Sequence, residues 1–308
     1  MQKIIPNFWF DSQSEKAAQL YTSIFKNSKM GTVTHYDAKS SKVANKPAGS
    51  VLTVDFELEG YKFVALNGGP QFKLNPSISM IANFDPSRET NAREYLDTVW
   101  AKLAEGGIIR MPLQKYPFSE WYGWIEDTFG VSWQLMLTDP KGEPRPFFIP
   151  SMLFTQKVDG RAEEALNFYT SFFKNSKLGN IVRYPAGMET NKEGNVMFGE
   201  CMLEGQWFAA MDGGQVHDFA FNEAFSFVIN CVDQAEVDYY WSALTEGGGS
   251  ESVCGWLKDK FGVSWQVVPV GFYKLMKGEP EKVERAMAAM LQMKKLDIAT
   301  LEKAYAGA

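Results

Sequence analysis

The chain reads as an α+β protein of two tandem domains, each built from two β-α-β-β-β modules. Three observations predict this. Residues 20–36, LYTSIFKNSKMGTVTHY, return at 168–184 as FYTSFFKNSKLGNIVRY, which makes Tyr21 and Tyr169 repeat partners. Residues 124–134, WIEDTFGVSWQ, return at 256–266 as WLKDKFGVSWQ. Within each half, short apolar runs and helical stripes follow one order twice over. A repeat this long is a duplicated domain, because solenoid repeats run only about 20–50 residues.

The first half opens with an apolar strand at Ile4–Phe10, and Ser12-Gln13-Ser14-Glu15 reads as a capping box that starts a helix. Ala17, Leu20, Tyr21, Ile24 and Phe25 mark its buried stripe. Strands follow near 30–36, 50–58 and 62–66, the last two joined by Glu59-Gly60. The second module repeats the order: a strand near 77–83, a helix with Ala92, Tyr95, Leu96, Val99 and Leu103 inward, and Gly106-Gly107 as its stop. A short strand near 108–110 precedes two strands that flank the Asp127–Gly130 turn, where Asp and Gly tolerate the backbone angles.

Residues 138–150, TDPKGEPRPFFIP, have the Pro and Gly density of a linker. The domains are therefore placed at 1–140 and 148–272. Nine residues are missing from the second half before its Gly-Trp hairpin, so 111–122 has only a shortened counterpart. The tail, 280–308, has no partner in the first half and reads as amphipathic helices. Its Met287, Met290, Leu291 and Leu296 suit packing across the domain junction or against another chain. Whether strands are exchanged between halves is not legible.

At 308 residues, two domains are the default expectation. A net charge of -6 without long runs of Lys or Arg argues against a nucleic-acid partner. Three widely spaced cysteines, Cys201, Cys231 and Cys254, form no disulfide framework and suit a reducing compartment. No stretch approaches the roughly 18 consecutive apolar residues of a membrane span, and the start lacks a cleavable apolar core. The expectation is a cytoplasmic protein without a membrane partner.

The paired modules, the KNSK turns after the first helix of each half and the string CGWLKDKFGVSWQVVP resemble a known family. The chain looks like a PhnB-like protein of the "3-demethylubiquinone-9 3-methyltransferase domain" group. That group lies in the vicinal-oxygen-chelate superfamily with glyoxalase I, extradiol dioxygenases and bleomycin-resistance proteins, and the resemblance implies that the two modules of each domain form a curled mixed sheet around a cavity. The strings FNEAFSFVIN, EGGGSESVCGWLKDKFGVSWQ and MLQMKKLDIATLEKA also carry the likeness, which covers nearly all of both halves. The scaffold hosts unrelated activities, so the likeness does not fix a function.

Metal-dependent members of the superfamily place His, Glu or Gln at four strand positions that converge in the cavity. Carried across, those positions hold Pro6, Ala65, Ser77 or Ile78, and Gln134 in the first half. In the second they hold Pro150, Ala210, Ala224 or Phe225, and Gln266. A neutral amide alone is a poor ligand for Zn²⁺, Ni²⁺ or Fe²⁺, so the resemblance arrives without its metal, and no cofactor is expected. The two histidines agree, since His35 aligns with Arg183 and His217 with the neighbourhood of Phe72.

The remaining candidates each carry two readings. Asn67-Gly68-Gly69 and Asp212-Gly213-Gly214 end matching strands, either as ligand-capturing rims or as turns that need glycine. Gln134 and Gln266 face the cavity with Ser132 and Ser264 if the strand alternates, holding a ligand or tying strands together. Trp124 and Trp256 supply an aromatic wall or core packing. Asp55 and Glu200 match in the two halves, as a general base or as paired strand residues. Cys254 has Tyr122 as its counterpart and no histidine in sight to activate it. Glycine clusters at 106–107 and 247–249 follow helices, unlike the strand-to-helix glycine turn of the usual methyl-donor sites.

These observations point to a protein that binds a small organic ligand without a catalytic metal, its halves forming a pseudo-dimer and a homodimer remaining open. Asn67, Trp124, Gln134, Asp212, Trp256 and Gln266 are the candidate ligand residues. A metal-dependent lyase or dioxygenase, or the transferase of the family label, is the alternative. A third reading is an interaction module that uses the acidic surface and the tail.

Overall fold

The computed structural model describes residues 2–307, apart from the side chains at positions 39 and 43. The first module comprises β1 (Ile4–Phe10), α1 (Ser14–Ile24), β2 (Lys29–His35), a short α2 (Ala38–Ala44), β3 (Val51–Leu58) and β4 (Tyr61–Asn67). The second comprises β5 (Ile78–Phe84), α3 (Ala92–Ala104), β6 (Ile108–Tyr116), β7 (Ser119–Glu126) and β8 (Ser132–Leu137). In the third are β9 (Phe148–Phe154), α4 (Ala162–Phe172), β10 (Lys177–Arg183), β11 (Val196–Leu203) and β12 (Gln206–Asp212). The fourth holds β13 (Phe225–Cys231), α5 (Gln234–Thr245), β14 (Ser250–Glu251), β15 (Trp256–Lys258) and β16 (Ser264–Pro269). Three further helices close the chain: α6 (Val270–Leu275), α7 (Pro280–Met290) and α8 (Ile298–Ala306).

Each sheet unites two modules, as expected, but takes them from opposite halves. One sheet runs β14-β15-β16-β13-β1-β4-β3-β2 and the other β10-β11-β12-β9-β5-β8-β7-β6. We call them the terminal sheet (first and fourth modules) and the central sheet (second and third). Neither half therefore curls a sheet of its own; the exchange that the sequence left open takes place within the chain. Local physics explains it. Strands β5 and β13 are buried along their whole length and need a neighbour on both edges. The short linker after β8 delivers β9 onto the free edge of β5, antiparallel, with Ile78 opposite Met152. That leaves β13 to pair with β1, with Ile4 opposite Ile229.

The helix-bearing faces of both sheets share one aromatic core. Phe8 of the terminal sheet lies 6.4 Å, ring to ring, from Trp133 of the central sheet. Helix α1 buries Ala17, Ala18 and Tyr21 completely. Its Tyr21 hydroxyl donates to Asp127 of the other sheet at 2.7 Å, and Tyr169 donates to Asp259 at the same distance. Each acid also accepts its own Trp Nε1 and two backbone amides of the turn. The recurring D-x-F-G-V-S-W string thus encodes a buried acid whose acceptor oxygens are all used, a requirement of burial. Burial still wins against those bonds and pushes Asp127 up to about 6, and it raises Asp259 in the same way.

The capping box predicted for α1 does not form: Gln13 is the residue before the helix and offers no side-chain cap. Instead Asn67 Oδ1 accepts the Ser14 amide at 2.9 Å, while its Nδ2 donates to the Val51 carbonyl.

Candidate functional site

Strand alternation turns Asn7 and Trp9 of β1 away from the core that Phe8 and Phe10 enter. On that open face of the terminal sheet lies a cavity of about 990 Å³. Its floor is formed by Asn7 and Trp9 of β1, Thr53 and Asp55 of β3, Val64 and Leu66 of β4, and Gln266 of β16. Its lip is formed by His35, Tyr36, Asp37 and Ser40, and its roof by Phe272, Tyr273, Met276, Met287 and Met290.

The roof is the unduplicated tail. Leu296 and Leu301 are buried against Val228 and Val268 of the sheet, with Met290 and Met293 beside them. Burying each such leucine contributes about 1.5–3 kcal/mol. Backbone bonds fix the join: Cys254 N donates to Met293 O and Gly255 N to Lys294 O, both at 2.7 Å. The tail thus packs within its own chain, and its methionines shape a cavity wall.

On the floor, Asn7 Nδ2 and Gln266 Nε2 both donate to Ser226 Oγ, at 3.1 and 3.0 Å. The central sheet repeats this with Gln134 Nε2 donating to Ser79 Oγ at 2.6 Å. There, however, Tyr122 donates its hydroxyl to Gln134 Oε1 at 2.8 Å, whereas the terminal sheet has Cys254 in place of the tyrosine. Both glutamines point to the open face, and Trp133 and Trp265 are fully buried on the other side. Trp256 lines the cavity with its ring 6.0 Å from that of Trp9. Trp124, its counterpart on the central sheet, donates Nε1 to Ser132 Oγ at 2.8 Å.

Asn67 and Asp212 are not cavity residues, contrary to the ligand-capture reading. Both are buried and spend their side-chain polar atoms on backbone groups, at a helix start and at the start of a strand. Asp212 Oδ1 accepts the amides of Gly160 and Ala162, and its Oδ2 accepts that of Val196. A turn residue with a side-chain acceptor satisfies the orphan amides of a helix start, which the ligand-capture reading left out.

Of the positions carried over from the superfamily, Gln134 and Gln266 lie on the open faces of their sheets. Pro6, Ala65, Ile78, Pro150, Ala210 and Phe225 are buried toward the core. The open-face neighbours are Asn7, Val64, Ser226 and Gln266 in the terminal sheet and Ser151, Ala209, Ser79 and Gln134 in the central one. These are neutral oxygens or apolar groups, and several already bond one another. Among the described residues, no three of His, Cys, Asp or Glu gather as a metal group requires. Neutral groups of this kind are poor ligands for Zn²⁺, Ni²⁺ or Fe²⁺.

Asp55 and Glu200, the matched acids, part company. Glu200 is buried and takes Arg145 in a two-pronged pair at 3.0 and 2.9 Å. Asp55 opens into the cavity, where burial raises its pKa and the charges of Lys277 and Lys62 oppose the rise. Cys254 also borders the cavity, and burial pushes its thiol up, away from the reactive thiolate. A smaller cleft of about 280 Å³ lies beside Lys26, Glu59 and Tyr95. Its groups are engaged with one another, with Tyr95 donating to Glu59 at 2.6 Å and Lys26 paired with Glu89.

The family model "3-demethylubiquinone-9 3-methyltransferase" matches residues 2–136 and 146–268. The chain belongs to this family. A PhnB protein from Bacillus cereus, also named as a 3-demethylubiquinone-9 3-methyltransferase, is 34% identical over 44% of this chain and 100% of its own, with a TM-score of 0.39. A protein from Staphylococcus aureus is 29% identical, covering 45% of this chain and 98% of its own, with a TM-score of 0.18. Glyoxalase I from Zea mays spans both halves, covering 89% of this chain and 94% of its own at 13% identity and a TM-score of 0.53. That likeness establishes a glyoxalase-like fold. No curated protein matches the chain.

Within the 3-demethylubiquinone-9 3-methyltransferase family fold, the glycine clusters are helix stops: Gly106, Gly247 and Gly248 take positive φ just after α3 and α5. Sequence reasoning missed His35, Tyr273 and Lys277 as cavity residues. The methionine stripe of the tail signalled an apolar surface but none of these three residues. No helix among the described residues is long and apolar enough to cross a membrane.

Proposed function

We propose that this PhnB-like chain is a small-molecule-binding protein that works without the superfamily's catalytic metal and holds its organic ligand in the terminal-sheet cavity. One observation carries the reading: on the open face of the terminal sheet Asn7, Ser226 and Gln266 are neutral groups hydrogen-bonded together, and the cavity above them has an apolar roof of Phe272, Met287 and Met290. Apolar enclosure with a few convergent polar groups is the usual make-up of an organic ligand site. Trp9 and Trp256 supply flat apolar surface, and Gln266 Oε1, with no tyrosine above it, is the acceptor offered to a ligand. The three free cysteines suit a reducing compartment.

Native mass spectrometry and elemental analysis of the purified chain test this together. An organic adduct without stoichiometric metal is the expected result. Nickel, zinc, iron or manganese near one ion per sheet would replace the reading with a metal-dependent lyase or dioxygenase.

A further inference from the structure

We propose that the terminal-sheet cavity selects a cationic organic ligand, an amidinium, guanidinium or amine on an apolar body, with Asp55 as its counter-ion. The inference rests on the reading of that cavity as a ligand site. The chain contains its own template. In the central sheet the matching acid, Glu200, binds the guanidinium of Arg145 through two hydrogen bonds at 3.0 and 2.9 Å. That guanidinium lies 4.4 Å from the ring centre of Trp207, a cation over an aromatic face. Arg145 belongs to the linker, which has no copy beside Asp55.

The two acids project in the same way. Asp55 lies opposite Val64 and Glu200 opposite Ala209, equivalent strand positions. Glycines on the neighbouring strands, Gly31 and Gly179, leave room for each: a Cβ on either would come within 3.1 Å of the acid's own Cβ. A carboxylate on the same backbone geometry, one methylene shorter at Asp55, should accept the same kind of partner. A two-pronged, charge-assisted pair is the strong form of that interaction.

No hydrogen-bond donor or ion-pair partner reaches the Asp55 carboxylate among the described residues. Lys277 and Lys62 act on it only through their charge. The other ionisable groups that line the cavity are His35, Asp37, Tyr36, Tyr273 and Cys254. Asp55 itself is exposed on the cavity floor, so its unpaired carboxylate stands open to a cation that enters. Tyr273 and Trp9 offer ring surface to the ligand's apolar body.

The test uses the full chain and three probes of nearly one shape: benzamidine (cation), benzamide (neutral) and benzoate (anion), titrated by calorimetry. Benzamidine should bind at least about tenfold more tightly than the other two, and Asp55→Asn should remove that preference, the size expected of one hydrogen-bonded charge. The unfolding midpoint of Asp55→Asn, measured alongside, separates lost binding from lost fold; Asp55→Glu should restore the preference in part. Equal binding of benzamide or benzoate, a benzamidine preference that survives Asp55→Asn, or no binding of any probe would overturn the inference. A neutral or anionic molecule that co-purifies in the cavity would overturn it too, while leaving the ligand-binding function standing.

Discussion

At matching positions, Asp55 of the terminal sheet faces a cavity of about 990 Å³ while Glu200 of the central sheet is clamped by Arg145 beneath Trp207. The cavity face of the central sheet is packed as well: Ile81, Ile149 and Ala209 are buried there with Met136, Phe198 and Trp207 against them. The duplicated modules supply both sheets with the same floor plan, an amide and a serine at the centre and an acid on the third strand. The unduplicated segments decide the outcome. A linker arginine fills one site, and a helical tail roofs the other. In a duplicated protein, then, function is to be sought where the repeat breaks.

The sharpest way to break this comparison is to remove the cation from one side and the acid from the other. Arg145→Ala leaves Glu200 buried without a partner and should cost about 3–5 kcal/mol in urea unfolding, the usual loss when one member of a buried pair is removed. Asp55→Asn should leave stability unchanged or slightly higher, because Asp55 has no partner to lose. Equal losses would mean that the two acids play the same structural role.

Next in size is the roof. Leu296→Ala should cost about 2–4 kcal/mol. Hydrogen exchange should show the loss of protection in β13 and β16, which it covers, with β5 and β8 unchanged. Uniform loss would mean that the tail supports the whole core and is not specific to the cavity.

The shared core should respond alike in both halves. Tyr21→Phe and Tyr169→Phe each remove one buried bond to an acid and should cost about 1–3 kcal/mol. The pH dependence has a definite sign. Asp127 has its pKa raised from the ordinary 3.8 to about 6, so the folded chain binds this proton more tightly than the unfolded one. Its contribution to stability therefore falls as pH rises from 3.8 to about 6 and stays low above that. Relative to Asp127→Asn, the unaltered chain should gain stability on going from pH 7 to pH 4 in urea titrations; a loss would reverse the assignment.

Smallest is the glutamine pair. Gln134→Ala breaks bonds to Tyr122 and Ser79 and should cost about 1–2 kcal/mol, while Gln266→Ala should cost less and instead weaken ligand binding. Unfolding midpoints and ligand titrations of the two variants separate these outcomes.

Much of the fold was legible because it is local. The apolar stripes of α1 and α3, the turn at Asp127 and the outward glutamines follow from periodicity and turn chemistry. Strand exchange was not legible, because alternation gives each strand's faces and says nothing of its neighbour in space. Asn67 and Asp212 looked like rim residues because a polar side chain beside glycine reads the same whether it meets a ligand or a helix amide. The roofed cavity was hidden for a similar reason: Met287 and Met290 announce an apolar surface without saying what covers it. His35 could not be placed, since the strand that carries it is an edge strand and alternation does not say what lies beside an edge.

Native mass spectrometry of the intact chain titrated with benzamidine tests the central claim most directly. The account predicts one bound cation per chain, lost in Asp55→Asn, with no metal mass attached. Two bound cations per chain, or a metal ion that survives desalting, would contradict it.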